Sequence, residues 1–357
     1  MRARLSPLHT PAVPLRYRED RREHARGAAE RSRFKHGERR GDPLAIVHAD
    51  DFGITVDQAQ RILALSDACG GHGALNSVSI FANSPVFGEV AELARPFVEN
   101  GRLALALHLN LVEGRPTSRP SDVPLLVNER GTFSCDFAKI LLLSAGPRRS
   151  ALRAQVEREC SKQIERFLAA FPGERHHLRI DSHQHVHAIP LVFDALLAAA
   201  QKSGCTIARL RLPAEPLGPH RACGTLRCVS PANLVKVLLL DALCRRDRAH
   251  VPAHCDTPLF CGVALSGAMG LADVRLLSAF EAEGARRAQT CSTSDTQVPD
   301  EHAHSVEMLF HPVSVRPEDC LDPGNEPFTH ACSSPERDEE ARALVRLADE
   351  LEGAQRM

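Results

Sequence analysis

From Pro43 onward the chain alternates short apolar runs with segments whose apolar residues recur at helical spacing. Leu44–Ala49 is one such run and reads as a buried strand. Val56–Leu65 follows, with Val56, Ala59, Ile62, Leu63 and Ala64 patterned as a helix face. The pattern then repeats. Strands are expected over Leu75–Ala82, Leu103–Leu111, His177–Ser182, Thr206–Leu212 and Val306–Phe310, and helices over Val86–Val98, Gln155–Phe171 and Pro190–Lys202. Gly70-Gly71-His72-Gly73, Asn100-Gly101, Pro172-Gly173 and Ser203-Gly204 act as stops. A last helix opens at Ser334-Pro335-Glu336, with acids in its first turn, and runs to Leu351. Alternation of this kind requires crossover helices and therefore parallel strands. The fold class is α/β, as a (β/α) barrel or a doubly wound sheet. No G-x-G-x-x-G follows the first strand, which weighs against a dinucleotide-binding sheet. Arg115–Arg149 and Gly284–Ala303 lack the pattern and read as long loops.

Residues 1–42 differ from the rest. They hold twelve Lys and Arg against six Asp and Glu and show no apolar periodicity, so a disordered basic tail is expected before a single domain spanning 43–352. The acids in that tail argue against a transit peptide. Over the whole chain the net charge is −1, so nucleic acid is not an expected partner. No stretch is long and apolar enough to cross a membrane, so none is expected as a partner either. The twelve cysteines are spread thinly, without a C-x-x-C pair, and read as free thiols of a cytoplasmic protein rather than a disulfide framework. With no Trp and a single Tyr, an aromatic platform for a long polysaccharide is missing, and any sugar ligand is expected to be short.

The polar residues that stand out all close an expected strand. The first strand ends in Asp50-Asp51-Phe52-Gly53, the third in Leu107-His108-Leu109, a later one in Asp181-Ser182-His183-Gln184-His185-Val186-His187, and the last in Phe310-His311-Pro312. In parallel α/β folds this edge is where sites form. Alone, Asp-Asp before Gly is most often a turn or cap, and a single His on an apolar strand is most often a satisfied core residue. Four strands delivering Asp or His to one edge are harder to explain structurally. One carboxylate and two imidazoles make a divalent-metal triad with open positions, and Asp51, His108 and His183 fit it. Asp50 then remains as a base and His311 as an acid for the leaving nitrogen, which is a constellation for metal-assisted amide hydrolysis. His183, His185 and His187 are expected on one strand face. His72 reads as a turn residue, and His176, His177, His302 and His304 as solvated surface. Arg211 and Glu215 are expected to pair, orienting Asp50 or meeting substrate. Asn83 is expected to bind a substrate hydroxyl or to cap a helix.

Taken in order, His48-Ala49-Asp50-Asp51-Phe52-Gly53, Asn76-Ser77-Val78-Ser79, Ala82-Asn83-Ser84-Pro85, Leu107-His108-Leu109-Asn110, Ile180-Asp181-Ser182-His183-Gln184-His185-Val186-His187, Arg211-Leu212-Pro213-Ala214-Glu215-Pro216 and Glu307-Met308-Leu309-Phe310-His311-Pro312 make a chain that resembles the YdjC-like carbohydrate deacetylases. The likeness runs from Leu44 to Leu351. It implies a distorted (β/α) TIM-like barrel that removes the acetyl group from N-acetylated sugars, typically short chitooligosaccharides. It places the metal ligands on Asp51, His108 and His183, the general base on Asp50 and the general acid on His311. The cofactor it implies is one divalent ion, Mg2+ or Zn2+, and zinc suits an Asp-His-His set better by ligand softness. His48 departs from the family, where Asn is common, and the tail and the 284–303 segment are extra.

Two rival readings share these residues. A barrel metallo-phosphoesterase would want ligands for two metals and more cations around a phosphate than Arg211. A non-catalytic sugar-binding protein would not need the intact Asp50, Asp51, His108, His183 and His311. No G-x-S-x-G elbow is present, in keeping with direct attack by water. Barrels often dimerise, so a homodimer is also an expectation.

Overall fold

The computed structural model describes residues 45–291 and 305–355. The expected tail and the His302/His304 surface fall outside them. Seven strands form one parallel sheet in the order β5-β4-β3-β2-β1-β7-β6: β1 Ala45–Phe52, β2 Ser77–Ile80, β3 Ala104–Leu109, β4 Leu178–Ser182, β5 Ile207–Leu210, β6 Leu259–Cys261 and β7 Val306–Phe310. The sheet curls into a barrel-like α/β fold. At its open side a single parallel bridge, Arg209 with Asp256, brings the segment that leads into β6 against the edge of β5.

Helices cover the sheet: α1 Val56–Ser66, α2 Phe87–Glu99, α3 Phe137–Ser144, α4 Arg149–Ala170, α5 Pro190–Lys202, α6 Leu217–Ala222, α7 Pro231–Arg248, α8 Val274–Cys291, α9 Glu326–Cys332 and α10 Glu336–Gln355. None is long and apolar enough to cross a membrane. Strands β2 and β7 are buried throughout, and β1 and β3 after their first residue, as expected for parallel strands covered on both faces. Large core side chains such as Ile46, Phe52, Phe167, Phe193 and Phe280 are fully enclosed.

The two expected loops carry structure. Arg115–Arg149 contains α3, because Asp136 caps it by accepting from Lys139 N at 2.7 Å and an apolar run follows. Gly284–Ala303 begins inside α8. Several elements have no counterpart in the expected pattern: β6, only three residues long, the short α6 and α9, the start of α8, and α7, which is opened by Ser230 accepting from Asn233 N at 3.1 Å. All eleven described cysteines are free, six of them buried, as expected.

Close packing at the end of β6 gives a test. A Cβ added to Gly262 would lie 2.7 Å from Leu309 Cβ on β7, so Gly262→Ala must push that strand aside. We expect a loss of about 1–3 kcal/mol, read as a lower urea midpoint at unchanged m value.

Candidate active site

The site begins with a turn. β1 ends with Asp50, Asp51 and Phe52, and Asp51 adopts φ 59°, left-handed for a non-glycine residue. Gly53, at φ 95°, continues the turn. Gln58, fully buried on α1, locks it: its side-chain oxygen accepts from Gly53 N (3.2 Å) and Ile54 N (3.0 Å), and its amide donates to Asp51 O (3.0 Å). In a regular strand Asp50 and Asp51 would face opposite sides. Both reach the wall of one cavity.

Asp51, His108 and His183 come together, one ligand atom from each lying within 4.8 Å of the others. Asp51 Oδ1 is 2.9 Å from His183 Nδ1 and 3.4 Å from His108 Nε2. His108 Nδ1 donates to Asp181 Oδ1 at 2.5 Å, the outer carboxylate contact that orients a metal-binding imidazole. His108 Nε2 and His183 Nε2 are buried without a hydrogen-bond partner. Buried nitrogens left open beside a carboxylate, with the far side of one ring already fixed, fit a divalent cation.

Asp50 lies beside them on the cavity wall, its carboxylate held in a buried charge network. Arg211 grips it with two bonds, Nη1 to Oδ2 and Nη2 to Oδ1, both 2.8 Å, and Ser79 Oγ donates to Oδ1 at 3.0 Å. Burial alone would raise the Asp50 carboxyl, but Arg211, His108 and His48 outweigh it and hold it well below the usual carboxylate range. Arg211 also donates to Glu307 (Nε to Oε1, 2.6 Å) and lies 3.2 Å from Asp181. His48, the departure from the family pattern, sits 3.2 Å from both Asp50 and Asp181 and 2.8 Å from Ser77 Oγ.

The cavity beside these groups measures about 1120 Å³. His311 lies on its wall, and burial lowers its imidazole to about 4, so it rests neutral. His185 is also on the wall. It does not share a strand face with His183 and His187, because β4 stops at Ser182 and Gln184 and His185 take left-handed φ of 52° and 55°. The turn separates the three rings. His187 points back into the protein, bonding Ser182 Oγ (2.5 Å) and Arg211 O (2.7 Å).

The three residues expected to meet substrate have their polar atoms engaged by protein, and none is on the cavity wall. Asn83 donates to Glu113 O (3.1 Å) and Arg115 O (3.0 Å), tying down the segment after β3. Arg211 holds Asp50, one of the two roles expected of it, but without Glu215. Glu215 instead accepts from Gly262 N (3.1 Å), Val263 N and Ala264 N (both 2.7 Å) and from His220 Nε2 (2.8 Å).

Three residues of the site escape the sequence reading. Arg337, on α10, donates to Asp51 Oδ2. Glu340, one turn later, accepts from His311 N (2.5 Å). Glu113, on the cavity wall, accepts from Asn325 Nδ2 (2.8 Å) and Gln184 Nε2 (3.3 Å). None ends a strand. The one signal for Arg337 is its place in the acid-rich opening of the last helix, where a lone cation stands out.

A family model described as YdjC-like protein matches residues 44–348. The chain belongs to the YdjC-like family. Among its relatives is a carbohydrate deacetylase of Geobacillus stearothermophilus, 34% identical over 61% of this chain and 82% of that protein. A chitooligosaccharide deacetylase of Serratia marcescens is 31% identical over 46% of this chain, and a carbohydrate deacetylase of Danio rerio 29% over 48%. The chain spans only 58% and 50% of those two proteins. A crystal structure from Enterococcus faecalis, provisionally described as a cellobiose-phosphate cleavage protein, shares the fold: the TM-score is 0.52 at 20% identity, over 87% of this chain and 94% of that one.

Glu113 gives a pH prediction. Burial, with help from Asp322 and Asp51 and against the Asn325 hydrogen bond, raises its carboxyl to about 8. The native state then holds a proton that the unfolded chain releases near pH 4.3, so stability falls as pH rises between those values. Glu113→Gln removes the charge and the slope. We expect the variant to exceed the native protein by about 1–3 kcal/mol at pH 8.5 and to match it near pH 4, measured by urea unfolding.

Proposed function

We infer that this YdjC-like protein is a metal-dependent hydrolase that removes the acetyl group from an N-acetylated sugar, of the short chitooligosaccharide type. The observation that carries this reading is the meeting of Asp51, His108 and His183 beside Asp50 on a cavity wall. The deacetylase relatives support the reaction class. Asp51, His108 and His183 would hold one divalent cation, and an Asp-His-His set favours Zn2+ over Mg2+. Such a cation supplies Lewis acidity toward the acetamide oxygen and toward water.

The chain's own groups do the rest. Asp50, fixed by Arg211 and Ser79, presents a charged carboxylate at the cavity edge and takes the proton of the attacking water. Its low pKa makes it a weak base, so it would depend on the acidity that a cation held by Asp51, His108 and His183 would lend that water. His311 rests neutral; the proton that Asp50 takes from the water passes to it and from it to the leaving nitrogen as the C–N bond breaks, which returns both groups to their starting states. Acetate and a free amine result. The walls include Phe133, Phe137 and Phe328, apolar surface against which a short sugar can lie.

Arg211 also bears on the phosphoesterase alternative. Asp50, Asp181 and Glu307 could hold a second cation, but the guanidinium already lies among them. One metal per chain is therefore the expectation. With all described cysteines free, the reading extends to the cytoplasm as the place of action.

The decisive assay is acetate release from di-N-acetylchitobiose by the purified, zinc-loaded full chain. We expect activity that a chelator abolishes and zinc restores. Asp50→Asn is expected to lower kcat at least about 100-fold with zinc still bound. Zinc-loaded native protein that frees no acetate from this or any other small acetylated sugar would sink the reading.

A further inference from the structure

Arg337 is 286 residues from its partner Asp51, yet the residue is only 6% exposed and lines the cavity. Each nitrogen has a distinct situation. Nε donates to Ala331 O at 2.8 Å and so anchors the group to α9. Nη2 donates to Asp51 Oδ2 and lies 3.8 Å from Cys332 Sγ. Nη1 is buried with no hydrogen-bond partner.

The carboxylate of Asp51 is thereby divided. Oδ2 belongs to the arginine, and Oδ1 faces His108 and His183. Gln58 holds the backbone of the turn but touches only the Asp51 carbonyl oxygen. Arg337, not Gln58, sets which oxygen is turned to the imidazoles. An arginine with a purely structural task would have its buried donors filled. Here one buried donor is left over, on a residue that lines the cavity beside Asp51.

We propose that Arg337 is the positioning residue of the metal centre, holding Asp51 so that a single oxygen is offered to the cation. This rests on the metal-dependent reading above and adds to it a residue outside the ligand set. Partners that orient a metal ligand typically govern metal affinity by 10–100-fold.

The test uses the full chain and its Arg337→Gln and Arg337→Lys variants. Zn2+ affinity is measured by competition with a chromophoric chelator, the Co2+ visible spectrum reports the ligand geometry, and circular dichroism checks folding. Folded Arg337→Gln is expected to bind Zn2+ 10–100-fold more weakly, with an altered Co2+ spectrum, and Arg337→Lys to restore part of the loss. A loss below tenfold in folded Arg337→Gln overturns the proposal, even if its thermal stability drops. If Arg337→Gln does not fold, Arg337→Lys decides: a loss of threefold or more upholds the proposal, and a smaller one overturns it. Native protein that binds no Zn2+ overturns it as well. Native protein that binds Zn2+ but frees no acetate sinks the deacetylase reading and leaves this one standing.

Discussion

One guanidinium inside the barrel determines the rest of the site. Arg211 is 1% exposed and meets three buried carboxylates from three strands: Asp50 on β1, Asp181 on β4 and Glu307 on β7. Without it those charges would face one another in a low dielectric, and burial would push each toward protonation. With it Asp50 and Asp181 stay ionised. Asp181 can then hold the ring of His108, and Asp50 can stand charged at the cavity. Breaking such a network by removing one member costs about 3–5 kcal/mol, because the partners are left buried and unpaired. The Asp- and His-bearing edge of the barrel is thus built on a polar interior. His48, Ser77 and Ser79 complete it by bridging neighbouring strands.

The second constraint is the turn at the end of β1. Two adjacent carboxylates serve two purposes only because the chain reverses its handedness between them. Asp50 keeps the strand conformation and looks inward to Arg211. Asp51, at φ 59°, looks toward His108 and His183. That conformation costs a non-glycine residue about 1–3 kcal/mol and persists only where the surroundings over-determine it. Gln58 and Arg337 do so from two sides, one on the backbone and one on the carboxylate.

Much of this was legible in the sequence, for a definable reason. The strands of a covered parallel sheet must be apolar, so Asp50, Asp51, His108, Asp181 and His311 at their ends stood out against the background. Their spacing along the chain told which edge they share. What could not be read lies where the backbone leaves regular geometry or where the partner is remote. The left-handed pair Gln184 and His185 has no glycine to announce it, so His183, His185 and His187 looked like one face. Glu215 looked available because nothing local shows that three amides of residues 262–264 converge on it. Arg337 meets Asp51 only after the chain has wound through the whole barrel.

The same division separates the chemistry from the choice of substrate. The groups we propose to react lie on or just after β1, β3, β4 and β7, whose positions are tied by the sheet register and by Arg211. The cavity wall opposite them comes from elsewhere: the 133–138 segment at the start of α3, the inner face of α7 through Leu239 and Leu240, and α9 through Phe328. The 133–138 segment and α7 make no bond to the Arg211 network, whereas α9 reaches the site directly: its Ala331 O accepts from Arg337, and its Phe328 meets the His183 ring edge-on with centroids 5.3 Å apart. The 133–138 segment and α7 can therefore change side chains without touching Asp50 or Asp51, while α9 is bound to the Asp51 side of the site through Arg337. The large cavity without Trp or Tyr is the version of that wall carried by this chain.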